Sequence, residues 1–222
     1  MNDEADRAAT LQLIESTGVV AVIRLDDPAA LRDTCDALAA GGVRALEVTM
    51  TVPRAVELIE SLSSSLPPGF VVGAGTVLDP ETARKVILAG AKFVVSPVFR
   101  PAIIDVARMH DVAVMPGCFT PTEILAAWDA GADVVKVFPA TVLGPGFFKD
   151  MRGPLPQVRM MPTGGVTRDN AGDWIKAGAV AIGVGTALVD KSAIKARRFD
   201  EITRNAAHFI DAVRRARGTE AV

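Results

Sequence analysis

The chain has only two cysteines, Cys35 and Cys118, in 222 residues. They supply neither a framework of pairs nor a metal-ligand spacing, which excludes a disulfide scaffold and makes a reducing cytoplasm the expected setting. An excess of either charge is also missing. Lys and Arg number 24 and Asp and Glu 26, a formal net charge of −2 with no acidic or basic tail. Neither nucleic acid nor an anionic membrane surface is expected as a partner. No run of about 18 apolar residues is present, so no segment is expected to span a membrane. The chain begins Met1-Asn2-Asp3-Glu4, acidic where a secretory leader would be basic. Nothing reads as a linker, and residues 1–222 are expected to form one domain.

Apolar residues make up 50% of the chain, enough for a large core. Short β-rich runs alternate with longer amphipathic ones. The predicted strands are residues 19–24, 45–49, 71–75, 93–96, 113–115, 134–138, 159–163 and 181–184, with helical spacing between them. In residues 28–40, Leu31, Cys35 and Leu38 fall on one stripe, and in residues 170–177, Trp174 and Ile175 precede a stop at Gly178. Pro80 and Pro121 fall near helix starts, where a missing N–H costs little. Strand–helix alternation implies a parallel sheet, and eight such units favour a closed (β/α)8 TIM barrel over an open sheet. A weak repeat agrees. Residues 41–48, 89–96, 130–137 and 177–184 each read as a helix end, a glycine stop and an even-numbered strand. Residues 4–16 read as an extra N-terminal helix closing the barrel floor.

Active sites of such barrels lie at the C-terminal ends of the strands, and side chains alternate between the interior and the surrounding helices. Lys136 is flanked by Val134, Val135, Val137 and Phe138. With Val135 and Val137 facing the helices, Lys136 points inward. Burial disfavours the ammonium and yields the neutral amine that attacks a ketone. Glu47 has the same phase in the second strand, between outward Leu46 and Val48. The two are expected to relieve each other's buried charge, with the carboxylate as acid–base partner. Lys85, Lys149, Lys176, Lys191 and Lys195 lie in helical or loop stretches. Arg24, ending the first strand, can grip a carboxylate or phosphate. Thr163-Gly164-Gly165 ends the seventh strand and Gly183-Val184-Gly185-Thr186 the eighth, the two loops that often bind phosphate in barrels. Thr76, Ser96-Pro97 and Pro116-Gly117 end the third to fifth strands and carry weaker signals. Cys118 lacks an activating histidine and reads as a buried small residue. A phosphate-barrel epimerase or decarboxylase would need a second aspartate after Asp133-Val134-Val135-Lys136, where Val137-Phe138-Pro139 stands instead. A non-catalytic assembly module would not need inward Lys136 and Glu47 together.

Five pieces carry a family resemblance: Gly-Gly-Val-Arg-Ala-Leu-Glu-Val-Thr at 41–49, Gly-Ala-Gly-Thr-Val at 73–77, Val-Val-Ser-Pro at 94–97, Lys-Val-Phe-Pro-Ala at 136–140 and Pro-Thr-Gly-Gly-Val at 162–166. Between about Gly18 and Leu188 the chain resembles the class I, Schiff-base 2-keto-3-deoxy-6-phosphogluconate / 4-hydroxy-2-oxoglutarate aldolases. The resemblance implies Lys136 as the Schiff-base lysine and Glu47 as general base. It implies a pyruvyl end lined by Thr76, Pro97, Phe138 and Thr163, and phosphate on Gly164, Gly165, Gly185 and Thr186. It also implies a homotrimer that needs no metal or other cofactor, acting on a sugar acid phosphate with pyruvate as a product. Some members carry arginine in a Leu-Arg-Thr context after the second strand, where this chain has Met50-Thr51-Val52-Pro53. Others pair Thr-Val-Pro there with an arginine at the end of the first strand, so anion binding falls to Arg24. Preference for the gluconate, its galactonate epimer or unphosphorylated 4-hydroxy-2-oxoglutarate stays open at this point.

Overall fold

The computed structural model describes residues 7–25 and 28–218. Nine strand segments alternate with helices in the expected order. The strands are β1 (Val19–Ile23), β2 (Ala45–Thr49), β3 (Val71–Gly75), β4 (Phe93–Val95), β5 (Ala113–Met115), β6 (Gly117–Cys118), β7 (Val135–Val137), β8 (Met160–Pro162) and β9 (Ile182–Val184). The helices are α1 (Arg7–Thr17), α2 (Pro28–Ala40), α3 (Ala55–Ser65), α4 (Pro80–Leu88), α5 (Pro101–Met109), α6 (Pro121–Asp129), α7 (Ala140–Met151), α8 (Ala171–Lys176), α9 (Lys191–Lys195) and α10 (Phe199–Arg217).

All ladders are parallel. One sheet runs β5-β4-β3-β2-β1-β9 and a second runs β6-β7-β8. Pro116 separates β5 from β6, yet the two are one stave. Its first part pairs with β4 and its second with β7. The other seam closes where Thr163 bridges Gly183 and the Val180 amide donates to the Met160 carbonyl. Eight staves thus curl into the expected (β/α)8 barrel. Pro116 itself lacks an N–H, but its carbonyl accepts from Lys136, so the stave carries pairing through the proline.

The fold has two apolar layers, as strand alternation requires. Alternate strand residues such as Ala21, Leu46, Val48, Val135 and Val137 pack outward against the helices. The other phase, including Val20, Ala45, Phe93, Met115, Val134, Met161 and Ala181, fills the lower barrel. Leu11 and Ile14 of α1 join this inner cluster, so α1 does close the floor. Of the predicted helix 4–16, positions 4–6 lie outside the described residues. Arg7 anchors α1 through bonds from its guanidinium to Asp133, which also accepts from the Val114 amide.

The four repeat copies are real junctions. Gly42, Gly90, Gly131 and Gly178 all have φ between 94° and 107°, the left-handed stop that frees a helix end to enter the next strand. Pro80 follows the N-cap Asp79, whose side chain accepts from Thr82. Pro121 follows Thr120, which forms a capping box with Glu123. The tight ends place each following strand in register and leave the strand C-termini clear at the opposite rim.

Candidate active site

Lys136 occupies the middle of β7 with Val135 and Val137 turned to the helices. Its side chain projects into the barrel above Val134 and is only 5% exposed. The ammonium stands 5.0 Å from the centroid of the Phe138 ring, two residues on and on the same face. Burial pushes the Lys136 pKa below the ordinary lysine value. Glu47 opposes that shift and Arg24 reinforces it.

Glu47 comes from β2, where Ala45 lies below it in the inner cluster and Thr49 above it is buried. The residue is 1% exposed. Space for it is made on the neighbouring strand. Any Cβ at Gly75 would collide with the Glu47 carboxylate, and one at Gly73 with the Phe93 ring. The Gly73-Ala74-Gly75 run is therefore a recess that holds a large ring below and a carboxylate above. The expected relief of charge between Glu47 and Lys136 acts through space, Glu47 favouring the charged lysine without touching it. They interact electrostatically without forming an ion pair or hydrogen bond, and Glu47 Oε2 is buried with no partner among the described residues. Such an oxygen retains its full capacity to accept a proton from a substrate hydroxyl.

Beside the lysine lies a cavity of about 130 Å³ between the ends of β8, β9 and β1. It joins seven of the residues expected from sequence: Arg24, Phe138, Thr163, Gly164, Gly165, Gly185 and Thr186. Gly164 and Gly165 have φ of 83° and 77°, so side-chain-bearing residues are disfavoured there. Gly185 differs. A Cβ there would meet only the Arg24 Nη1, at 3.4 Å, so its glycine keeps room between the guanidinium and the loop. Arg24 is exposed just past β1 and is the one cation lining this cavity. Thr163 is buried with its hydroxyl unpartnered among the described residues, and its inward direction follows from Met161 two positions earlier.

Thr76 and Pro97 follow β3 and β4 on the same rim, both half-buried, outside this cavity. Thr76 adopts φ 59°, an uncommon conformation for a β-branched residue. Two supporting residues escaped the sequence reading. Thr141, at the start of α7, packs against Gly165 so closely that a Cβ there would come within 2.7 Å of its Cα. Asn170 donates to the Gly165 carbonyl at 2.9 Å and accepts from the Thr167 amide at 2.8 Å, pinning the loop after β8. An exposed Thr in the first turn of a helix, or a half-buried Asn just before one, carries no period or motif that would single it out. Cys118 is the buried small residue expected. Its thiol points to the Glu123 carbonyl, and burial pushes its pKa up to about 12. Among the described residues no group of three or more His, Cys, Asp or Glu is placed to hold a metal.

The arrangement presents an amine of lowered pKa, an interior carboxylate with a buried, unpartnered oxygen, and a recess lined by glycines and one arginine. Comparison with known proteins gives a consistent picture. Residues 11–205 match the family model described as "Aldolase: KDPG and KHG aldolase". The chain is 35% identical over 204 residues to a 2-dehydro-3-deoxy-phosphogluconate aldolase of Pseudomonas aeruginosa, covering 91% of this chain and 92% of the relative. It is 30% identical over 199 residues to a 2-dehydro-3-deoxy-6-phosphogalactonate aldolase of Escherichia coli, covering 89% and 95%. A crystal structure of the KDPG aldolase from Legionella pneumophila, with pyruvate captured as a covalent carbinolamine intermediate, superposes with a TM-score of 0.83. That pair is 29% identical, covering 89% of this chain and 96% of the other.

Proposed function

The chain belongs to the KDPG and KHG aldolase family, and from that membership we propose that it cleaves 2-keto-3-deoxy-6-phosphogluconate to pyruvate and glyceraldehyde 3-phosphate through a Schiff base on Lys136. It is a class I aldehyde-lyase, in keeping with the carbinolamine captured in the Legionella relative. The single observation that carries the assignment to Lys136 is its deep burial among apolar side chains, with its pKa held down by that burial.

Neutral Nζ of Lys136 adds to the C2 carbonyl of the substrate, giving a carbinolamine. Uptake of one proton with loss of water leaves a protonated imine, and that proton is given back when the imine is hydrolysed. Glu47 takes the proton of the C4 hydroxyl as the C3–C4 bond breaks, and the bonding pair moves into the imine to form an enamine. The aldehyde departs. The proton held by Glu47 returns to C3, and water hydrolyses the imine, releasing pyruvate and the free amine. The Phe138 face beside Nζ stabilises whichever cation occupies that place, ammonium or iminium. Thr76, Pro97, Phe138 and Thr163 line the pyruvyl end in this reading, and Thr163 brings an unpartnered hydroxyl to it. Gly164, Gly165, Gly185 and Thr186 hold the phosphate through backbone amides and a hydroxyl, with Arg24 supplying charge. The test is trapping. Pyruvate with borohydride should add mass irreversibly at Lys136, and labelling elsewhere removes the assignment.

A second reading, preference for the galactonate epimer, has its support in the 30% identity to the Escherichia coli 2-dehydro-3-deoxy-6-phosphogalactonate aldolase. Rates on the two C4 epimers separate these. We further propose that residues 1–222 act as one domain, in the cytoplasm, as a homotrimer. Exposed apolar side chains at Leu78, Leu88, Val98, Met109 and Val142 supply surface for such an assembly, and light scattering in solution tests it. No described helix is long and apolar enough to cross a membrane.

A further inference from the structure

The barrel floor carries an opening unrelated to the chemistry at the rim. An open groove of about 470 Å³ lies below β8 and β9, between α1, the end of α7 and the end of α10. That volume lies in the range of small-molecule sites and exceeds what one phosphate fills. Its charged lining is Arg152, Arg159, Arg217 and Glu15, three guanidiniums against one carboxylate.

Two of the three are already fixed in place. Arg159 pairs with Glu15. Arg217 donates to the carbonyls of Ser16 and Val180, at 3.0 and 2.7 Å. Both are partly buried, and burial lowers both pKa values, with Arg7 adding to the effect on Arg159. Arg152 is different. Its side chain, Cδ and guanidinium together, packs over Gly178, where any Cβ would collide with it, and the guanidinium has no acceptor among the described residues. The neighbouring repeat shows what such an arginine ordinarily does. Arg108 covers Gly131 in the same way and donates to the Gly131 carbonyl at 3.2 Å. Arg152 leaves the corresponding bond unmade, and its exposed guanidinium lines the cavity with donors open to solvent and to a ligand.

Gathering three guanidiniums around one space costs electrostatic energy that a single carboxylate does not offset, whereas a multivalent anion would. We propose that this floor cavity is a binding site for a small multivalent oxyanion, a polycarboxylate or a phosphorylated metabolite, with Arg152 as the principal ligand and Arg159 and Arg217 as preset charges. The site is separate from the phosphate recess at the rim, since it touches the opposite ends of β8 and β9.

Citrate and pyrophosphate serve as probes, titrated calorimetrically at low and at physiological salt. The comparison uses the unmodified chain, Arg152→Glu at the floor and Gly185→Asp at the rim. The expected result is binding that survives Gly185→Asp, weakens at least about 10-fold in Arg152→Glu, and falls with salt. Citrate alone responding identifies a polycarboxylate site, and pyrophosphate alone a phosphate site. Arg152→Glu should keep the basal cleavage rate, which certifies its fold. If it does not fold, Arg152→Gln takes its place with a smaller expected loss. Binding that vanishes in Gly185→Asp and persists in Arg152→Glu belongs to the rim and overturns the proposal. So does the absence of binding by either probe at millimolar concentration.

Discussion

Glu47 and Lys136 point into the same barrel interior from β2 and β7, both almost wholly buried, and do not touch. A direct ion pair would hold the lysine charged and the carboxylate satisfied. Separation does the opposite, keeping an amine that releases its proton readily and an oxygen that has none of its own partners. The arrangement suits a substrate inserted between them better than it suits stability.

Lys136→Ala should retain the circular dichroism of the parent and lose borohydride labelling. Turnover should drop at least roughly 10³-fold, because covalent activation disappears with the amine. A variant that turns over within tenfold of the parent would place the nucleophile elsewhere.

Glu47→Gln keeps the shape of the side chain and removes the base. Pyruvate should still label Lys136, while cleavage slows by about 10² to 10⁴. Steady-state rates beside single-turnover labelling separate the two steps, and near-normal turnover assigns the base to another group.

The pH profile of labelling has a determined sign. Lys136 reacts as the neutral amine, so the rate rises with pH through its apparent pKa, and that midpoint should fall below the ordinary lysine value of about 10.4. Glu47 raises the pKa, so Glu47→Gln should move the midpoint down. Arg24 lowers it, so Arg24→Gln should move it up. Shifts of the opposite sign would refute the electrostatic reading of the site.

Two glycine substitutions probe space. Gly75→Ala puts a methyl where the Glu47 carboxylate lies, so it should displace that carboxylate and cost roughly 10² in kcat while sparing labelling. Gly185→Asp is the cleaner charge probe at the phosphate recess, since Gly165 has no room for a side chain and Gly185 does. The unmodified enzyme should prefer the phosphorylated six-carbon substrate over its dephosphorylated analogue by about 10² or more in kcat/KM, and Gly185→Asp should erase most of that ratio. Equal performance of the two substrates on the unmodified enzyme would instead favour 4-hydroxy-2-oxoglutarate.

A chelator should leave activity unchanged. Loss of activity that a divalent ion restores would move the chain to a metal-dependent class.

Much of this was legible in the sequence because strand alternation is strict. Val135 and Val137 outward force Lys136 inward, and Leu46 and Val48 do the same for Glu47. The repeated glycine stops marked four junctions for a similar reason, since few other residues take that conformation. The distance between Lys136 and Glu47 was not legible, because phase fixes direction and says nothing of reach. Nor was the continuation of one stave through Pro116, whose missing N–H reads locally as an end although its carbonyl pairs with Lys136. Thr141 escaped because its role arises from contact with a loop distant in sequence, and Asn170 because its bonds to Gly165 and Thr167 within one loop follow no motif.

The plug made by Leu11 and Ile14 also governs traffic. With the lower barrel filled from Phe93 to Met161, the reacting centre is a blind alley. On the mechanism proposed for Lys136, the water expelled when the imine forms, and the water that later hydrolyses it, share the open rim as one corridor with substrate and product. While an aldehyde still occupies that corridor, hydrolysis behind it is obstructed. The proposed chemistry and this closed floor together give an expected order of departure: the aldehyde leaves first, and pyruvate follows once water has reached the lysine.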